Sequence, residues 1–111
     1  MNLINVLWFE ENRQPVLKTI EGNLKSFEQQ IGNYIKANEY SKSETGEILI
    51  ISSMDNEVTS IENIKSTCFL LKVDADGKYS SLSKEEINDV ILNLSGNTKD
   101  VNSIMKSEEP K

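Results

Sequence analysis

The twelve residues Asp74-Ala75-Asp76-Gly77-Lys78-Tyr79-Ser80-Ser81-Leu82-Ser83-Lys84-Glu85 have the outline of a calcium loop. Aspartates stand at its first and third places and a glutamate at its twelfth. A calcium loop closes a cage of oxygens around the ion and needs glycine at its sharp sixth position. Here Lys78 brings an ammonium to the fifth position, where an oxygen ligand belongs, and Tyr79 takes the place of the glycine. The residues before the loop read as a strand, not a helix. A tight turn with Gly77 at positive φ accounts for the same letters, and no metal ion is expected.

Two other sets of carboxylates have the spacing for acid–base work: Glu10 with Glu11, and Glu85 and Glu86 with Asp89. Such runs are usually solvated surface, and acidic residues at 85 and 86 favour a helix N-terminus through its dipole. The chain has no histidine, which removes the Ser-His and Cys-His nucleophile systems. Cys68, the single cysteine, lies inside an apolar run and reads as a buried structural thiol, neither a nucleophile nor part of a disulfide framework or zinc site. No glycine-rich loop of the phosphate-cradling types is present. The expectation is a protein without catalytic residues or cofactor.

Composition points the same way. With 111 residues the chain is one domain by length, and its net charge of −6 comes from twelve Lys and Arg against eighteen Asp and Glu. Nonspecific nucleic-acid binding draws its affinity from phosphate neutralisation and needs a basic surface, so direct nucleic-acid binding is disfavoured. The opening residues lack a basic leader, no apolar run is long enough to span a bilayer, and one unpaired cysteine suits a reducing compartment. These features predict a cytoplasmic protein with no membrane association.

The elements that must position these residues can be read in order. Residues 3–9 alternate as a strand, with Trp8 and Phe9 on opposite sides. One of that pair is expected in the core, the other exposed or covered by a second layer. Pro15 marks a turn, and residues 16–20 form a second strand, completing a hairpin. Asn23 caps a helix with Leu24, Phe27 and Ile31 on one face, and Gly32 stops it. Tyr34–Ala37 is a short strand, residues 38–46 a polar loop, and Ile48–Ile51 a central strand. Residues 58–65 are ambiguous, with Ile61 and Ile64 able to anchor one helical turn. Cys68–Val73 is a further strand ending at Asp74–Gly77. Ser83-Lys84-Glu85-Glu86 is a capping box, opening a helix marked by Ile87, Val90, Ile91 and Leu94 and closed by Gly96. The result is an α+β domain over residues 1–96, with a mixed or antiparallel sheet of about five strands and two helices. Residues 97–111 are expected to form a disordered polar tail.

Three segments carry a resemblance. The first is Ile4-Asn5-Val6-Leu7-Trp8-Phe9-Glu10, followed by Pro15 and Ile20. The second is Ile31-Gly32-Asn33-Tyr34-Ile35. The third runs from Thr67-Cys68-Phe69-Leu70-Leu71 through Asp76-Gly77 into Ser81-Leu82-Ser83-Lys84-Glu85-Glu86-Ile87. Together they resemble a small domain family of unknown function found in phages, plasmids and conjugative elements of Gram-positive bacteria. The family's segments read V-G-G-Y-I-E at the second site, and T-F-L-I-V followed by S-L-T-D-E-Q-I at the third. The chain departs from it at Met54-Asp55-Asn56-Glu57-Val58-Thr59, where the family often carries an N-E-x-G segment and an Asn-Arg pair.

That setting implies a non-catalytic binding protein. The expected role is counter-defence, with the chain inhibiting a host or element-encoded protein, such as a nuclease complex with a basic nucleic-acid channel that an acidic surface can occupy. Trp8, Glu10, Glu11, Tyr34, Glu39, Tyr40, Glu44 and Glu47 are the candidate partner-binding residues, as carboxylates for the basic channel and aromatics for anchoring. The alternative is a small-ligand protein that sequesters a nucleotide signal, against which stands the single arginine, Arg13. Oligomeric state is left open, since an edge strand can pair across a homodimer.

Overall fold

In the computed structural model, residues 2–62 and 64–95 are described. Eight elements follow in order: β1 (Leu3–Phe9), β2 (Val16–Glu21), α1 (Leu24–Ile31), β3 (Ile35–Ser43), β4 (Gly46–Ser53), β5 (Cys68–Asp74), β6 (Tyr79–Ser80) and α2 (Lys84–Ser95). All strand pairings are antiparallel, in the order β2-β1-β5-β4-β3 with β6 beside β5. The fold is therefore α+β, as the sequence predicts, with an antiparallel sheet of six strands.

β5 lies at the centre because its residues are apolar on both faces, as a strand covered from both sides requires. Leu70 and Cys68 belong to one buried cluster with Leu7, Phe9, Ile48 and Ile50, and Ile87, Val90 and Ile91 of α2 cover it. Phe69 and Leu71 belong to the opposite cluster with Ile4, Val6, Trp8, Ile20 and Ile51, covered by Phe27 of α1. On that α1 face an aromatic stack fixes the packing. The Trp8 and Phe69 rings lie 5.6 Å apart and nearly parallel, and Phe27 meets Phe69 and Tyr79 edge-on at 5.6 and 4.9 Å. Trp8 and Phe9 point to opposite faces and both are buried, at 7% and 3% exposure. The second helical layer covers what an uncovered sheet would have exposed.

The local signals act as their chemistry dictates. The Asn23 side chain accepts from Ser26 N–H at 2.8 Å, and Gly32 leaves α1 at φ 83°. Within α1 Phe27 is buried, whereas Leu24, the first helical residue, is exposed and Ser26 turns inward. In the Ser83 capping box, Ser83 Oγ accepts from Glu86 N–H at 3.1 Å and Glu86 Oε1 accepts from Ser83 N–H at 2.8 Å. Gly77 sits at φ 83° in the turn after β5, where the Asp74 carboxylate accepts from the N–H groups of Asp76 and Lys78.

Two segments differ from the sequence reading, and a third is one that it leaves ambiguous. Residues 38–43, expected in a loop, continue β3 to Ser43. As the outermost strand, β3 has little to bury, so it carries no apolar alternation. β6 is a two-residue strand that the polar run Tyr79–Ser81 does not announce. β1 and β5 pair only over Leu7–Phe9. Where they part, β6 takes Lys72 and Val73 of β5, while Ser81 Oγ accepts from Asn5 N–H at 2.8 Å and Leu82 N–H donates to Asn5 O at 3.1 Å. In the ambiguous stretch 58–65, residues 61–62 make a turn. Gly96 and the tail at 97–111 lie outside the described residues.

Candidate partner-binding groove

The sequence-predicted residues divide among separate regions. Glu10 and Glu11 lie past the end of β1. There Glu10 accepts from the Trp8 indole N–H at 3.0 Å and faces Arg13 at 3.6 Å. Trp8 offers almost no surface to a partner, and the Lys18 ammonium covers its ring at 3.8 Å from the centroid. Tyr34 is 68% exposed, just before β3 and paired through its carbonyl with Met54 N–H, another exposed apolar residue. Glu44 lies at the opposite end of the strands, in the β3–β4 turn. Glu39 and Glu47 pair with Leu49 and Lys42, which places their side chains on the α1 face. The eight residues therefore do not form one site.

Tyr40 does belong to one. The register of β3 shifts between Glu39 and Ser41, so Tyr40 is the extra residue of a β-bulge, a device that re-aims a side chain. The bulge turns Tyr40 onto the α2 face, against the Leu7–Leu70 cluster. There its hydroxyl accepts from Asn93 Nδ2 at 3.1 Å. This contact divides a groove between β3 and α2 into two compartments, both of which it borders. One, of about 130 Å³, is formed by Tyr40, Ile50, the 59–62 loop, Asn93 and Leu94. The other, of about 360 Å³, lies between the hydroxyl-bearing residues Tyr40, Ser41, Ser43 and Thr45 and the α2 residues Glu85, Glu86, Asp89 and Asn93.

Helical spacing builds the α2 wall. Glu85, Asp89 and Asn93 are four residues apart and form one stripe, beside the buried Ile87, Val90 and Ile91 that hold the helix to the sheet. Glu86 is tied down: Lys72 on β5 pairs with its carboxylate and also donates to Thr45 Oγ1 at 2.9 Å. Partial burial pushes the Glu86 carboxyl up. The hydrogen bonds from Lys72 and Ser83, with the ammonium's charge, outweigh that and hold it below the ordinary carboxylate range. The latch joins the start of α2 to the β3–β4 hairpin and so fixes the end of the groove.

Among the described residues, the carboxylates lining these compartments on the α2 side are Glu62, Glu85, Glu86 and Asp89, and no Lys or Arg lines them. The Lys72 ammonium reaches the groove's end, where it is taken up by Glu86 and Thr45. Residues 1–96 carry the whole charge imbalance. Nine Lys and Arg face fifteen Asp and Glu before residue 97, and three of each follow it. The carboxylates at 85, 86 and 89 are visible in the sequence as an acidic helix start. Their shared wall with Tyr40 is not, because it depends on the bulge.

Among the described residues no three His, Cys, Asp or Glu side chains converge as a metal site. Burial pushes the Cys68 thiol up to about 12, so it stays protonated and is a poor nucleophile at neutral pH. No described helix is long and apolar enough to cross a membrane. The chain matches no protein-family model, no curated protein and no solved structure.

Proposed function

We propose that this chain is a non-catalytic binding protein that receives a basic segment of a partner protein in the groove between β3 and α2. The observation that carries this reading is the groove's one-signed lining: among the described residues, the charged ones that line it are acidic, and the Lys72 ammonium at its end is already paired with Glu86. A border of one sign raises the local concentration of the opposite charge and steers encounter. In the mobile-element setting that the resemblance implies, the partner is a host or element-encoded protein such as a nuclease complex. The chain would inhibit it by occupying a basic nucleic-acid channel inside the cell. A nucleotide signal has less support, since its phosphates would meet these carboxylates and the single arginine already faces Glu10.

The test is a tagged pull-down from host lysate at low and high salt, run with the wild type and with Glu85→Gln/Asp89→Asn. A stoichiometric protein retained at low salt by the wild type, and depleted with the double variant, is the expected result. Equal capture by both proteins at both salts would overturn the groove reading.

A further inference from the structure

Resting on that reading, we infer that the groove is bipartite and takes an extended partner segment in which an aliphatic side chain lies within a few residues of basic ones. The two compartments adjoin at the Tyr40–Asn93 hydrogen bond but differ in chemistry.

The smaller compartment has its aliphatic lining in Ile61 and Leu94, with the buried Ile50 behind them and Thr59, Ser60 and Glu62 along the loop. At about 130 Å³ it has room for a single aliphatic side chain against Ile61 and Leu94. Its loop wall is fixed in advance by three hydrogen bonds. Val58 N–H donates to the buried Ser52 Oγ at 2.9 Å, and Asn38 Nδ2 donates to Glu57 Oε2 and to Val58 O at 2.9 and 3.4 Å. A preformed pocket filled by one desolvated anchor is where interfaces concentrate their energy.

The larger compartment sets the hydroxyls of Ser41 and Ser43 on the hairpin against the carboxylates of Glu85 and Asp89 on α2. Carboxylates accept and cannot donate, and hydroxyls can accept, so both walls suit the N–H groups of guanidinium and ammonium. The aliphatic stems of Arg and Lys can lie along the Tyr40 ring while their charged ends reach these oxygens. A purely basic segment would leave the smaller compartment empty, and a purely apolar one would bring no charge to Glu85 and Asp89.

The test is NMR on the full chain, labelled at backbone amides and at isoleucine and leucine methyls, titrated with three synthetic peptides. The first reads leucine-glycine-arginine-lysine-arginine. The second replaces its leucine by glycine, and the third replaces its basic residues by glutamine. The first peptide is expected to shift the methyls of Ile50, Ile61 and Leu94 together with the amides of Thr45, Glu85 and Asp89. The second should shift the amides alone and bind roughly tenfold more weakly, the value of one buried leucine. The third should shift neither set. If the amides move while the methyls stay still, or the first two peptides bind equally, the bipartite inference falls and the acidic-groove reading stands. If the amides respond to none of the peptides, or equally to the glutamine peptide, the groove reading falls with it.

Discussion

Replacing Glu86 with Gln isolates the charge of the latch at the start of α2. Glutamine keeps an oxygen to accept from Ser83 N–H, so the capping box survives and only the ion pair with Lys72 is lost. Fully exposed pairs contribute about 0.2–1 kcal/mol, and breaking a fully buried one costs about 3–5 kcal/mol. Lys72 and Glu86 are 12% and 19% exposed at their side chains, which puts this pair between those limits. The expected loss is about 1–2 kcal/mol at pH 7, a fall in Tm of roughly 5–15 °C for a domain of this size.

The pH dependence has a definite sign. The folded-state pKa of Glu86 lies below its ordinary 4.5, so the ionised carboxylate favours the folded state. That contribution is complete above 4.5 and disappears as pH falls through the folded value. Urea unfolding of wild type, Glu86→Gln, Lys72→Met and the double variant, at pH 7 and at stepwise lower pH, reads both effects. A double-mutant cycle without coupling, or a gap between wild type and Glu86→Gln that does not shrink below pH 4.5, would refute the argument.

Other outcomes follow from the packing. Phe69→Ala removes the ring on which Trp8 and Phe27 both rest and should cost about 3–5 kcal/mol in denaturant unfolding. Gly46→Ala should destabilise far more than Gly32→Ala, although both glycines have positive φ. A Cβ at 46 would stand 2.1 Å from Val73 O, whereas one at 32 meets nothing within 4 Å, so thermal melting should show about 1–2 kcal/mol for position 32 and a larger loss or failed folding for position 46. Cys68 should stay unmodified by a thiol reagent at pH 8 in the native protein and react on unfolding, because it is fully buried with its pKa pushed up to about 12.

Much of this fold is legible residue by residue. Asn23, Gly32, Gly77 and the Ser83–Glu86 box act locally, so their sequence signals survive folding unchanged. Apolar runs at 48–51 and 68–71 mark strands covered on both faces. The features that escape are those set by partners distant in sequence. Residues 38–43 are polar because β3 is an edge, and β6 exists because β1 and β5 part beyond Leu7. The candidate site shows the same division. Spacing alone places Glu85, Asp89 and Asn93 on one stripe. Tyr40 joins them only because a bulge carries it across the sheet, and no local pattern in Asn38-Glu39-Tyr40-Ser41 marks that shift. Conversely, Glu10, Glu11, Glu44 and Glu47 are acidic by composition, yet the strand register sends them to different ends and faces.

The central claim is that the groove's own carboxylates, and not net charge in general, steer the partner. The most direct measurement is the association rate with the captured partner across a range of salt, for wild type, Glu85→Gln/Asp89→Asn, and Glu10→Gln/Glu11→Gln at the opposite end of the strands. Both variants remove two negative charges. The groove variant should associate about 3–10-fold more slowly at low salt, with a shallower salt dependence that meets the wild type at high salt, while the distal variant changes little. Equal slowing by the two variants, or an unchanged rate and salt slope in the groove variant, would contradict the account.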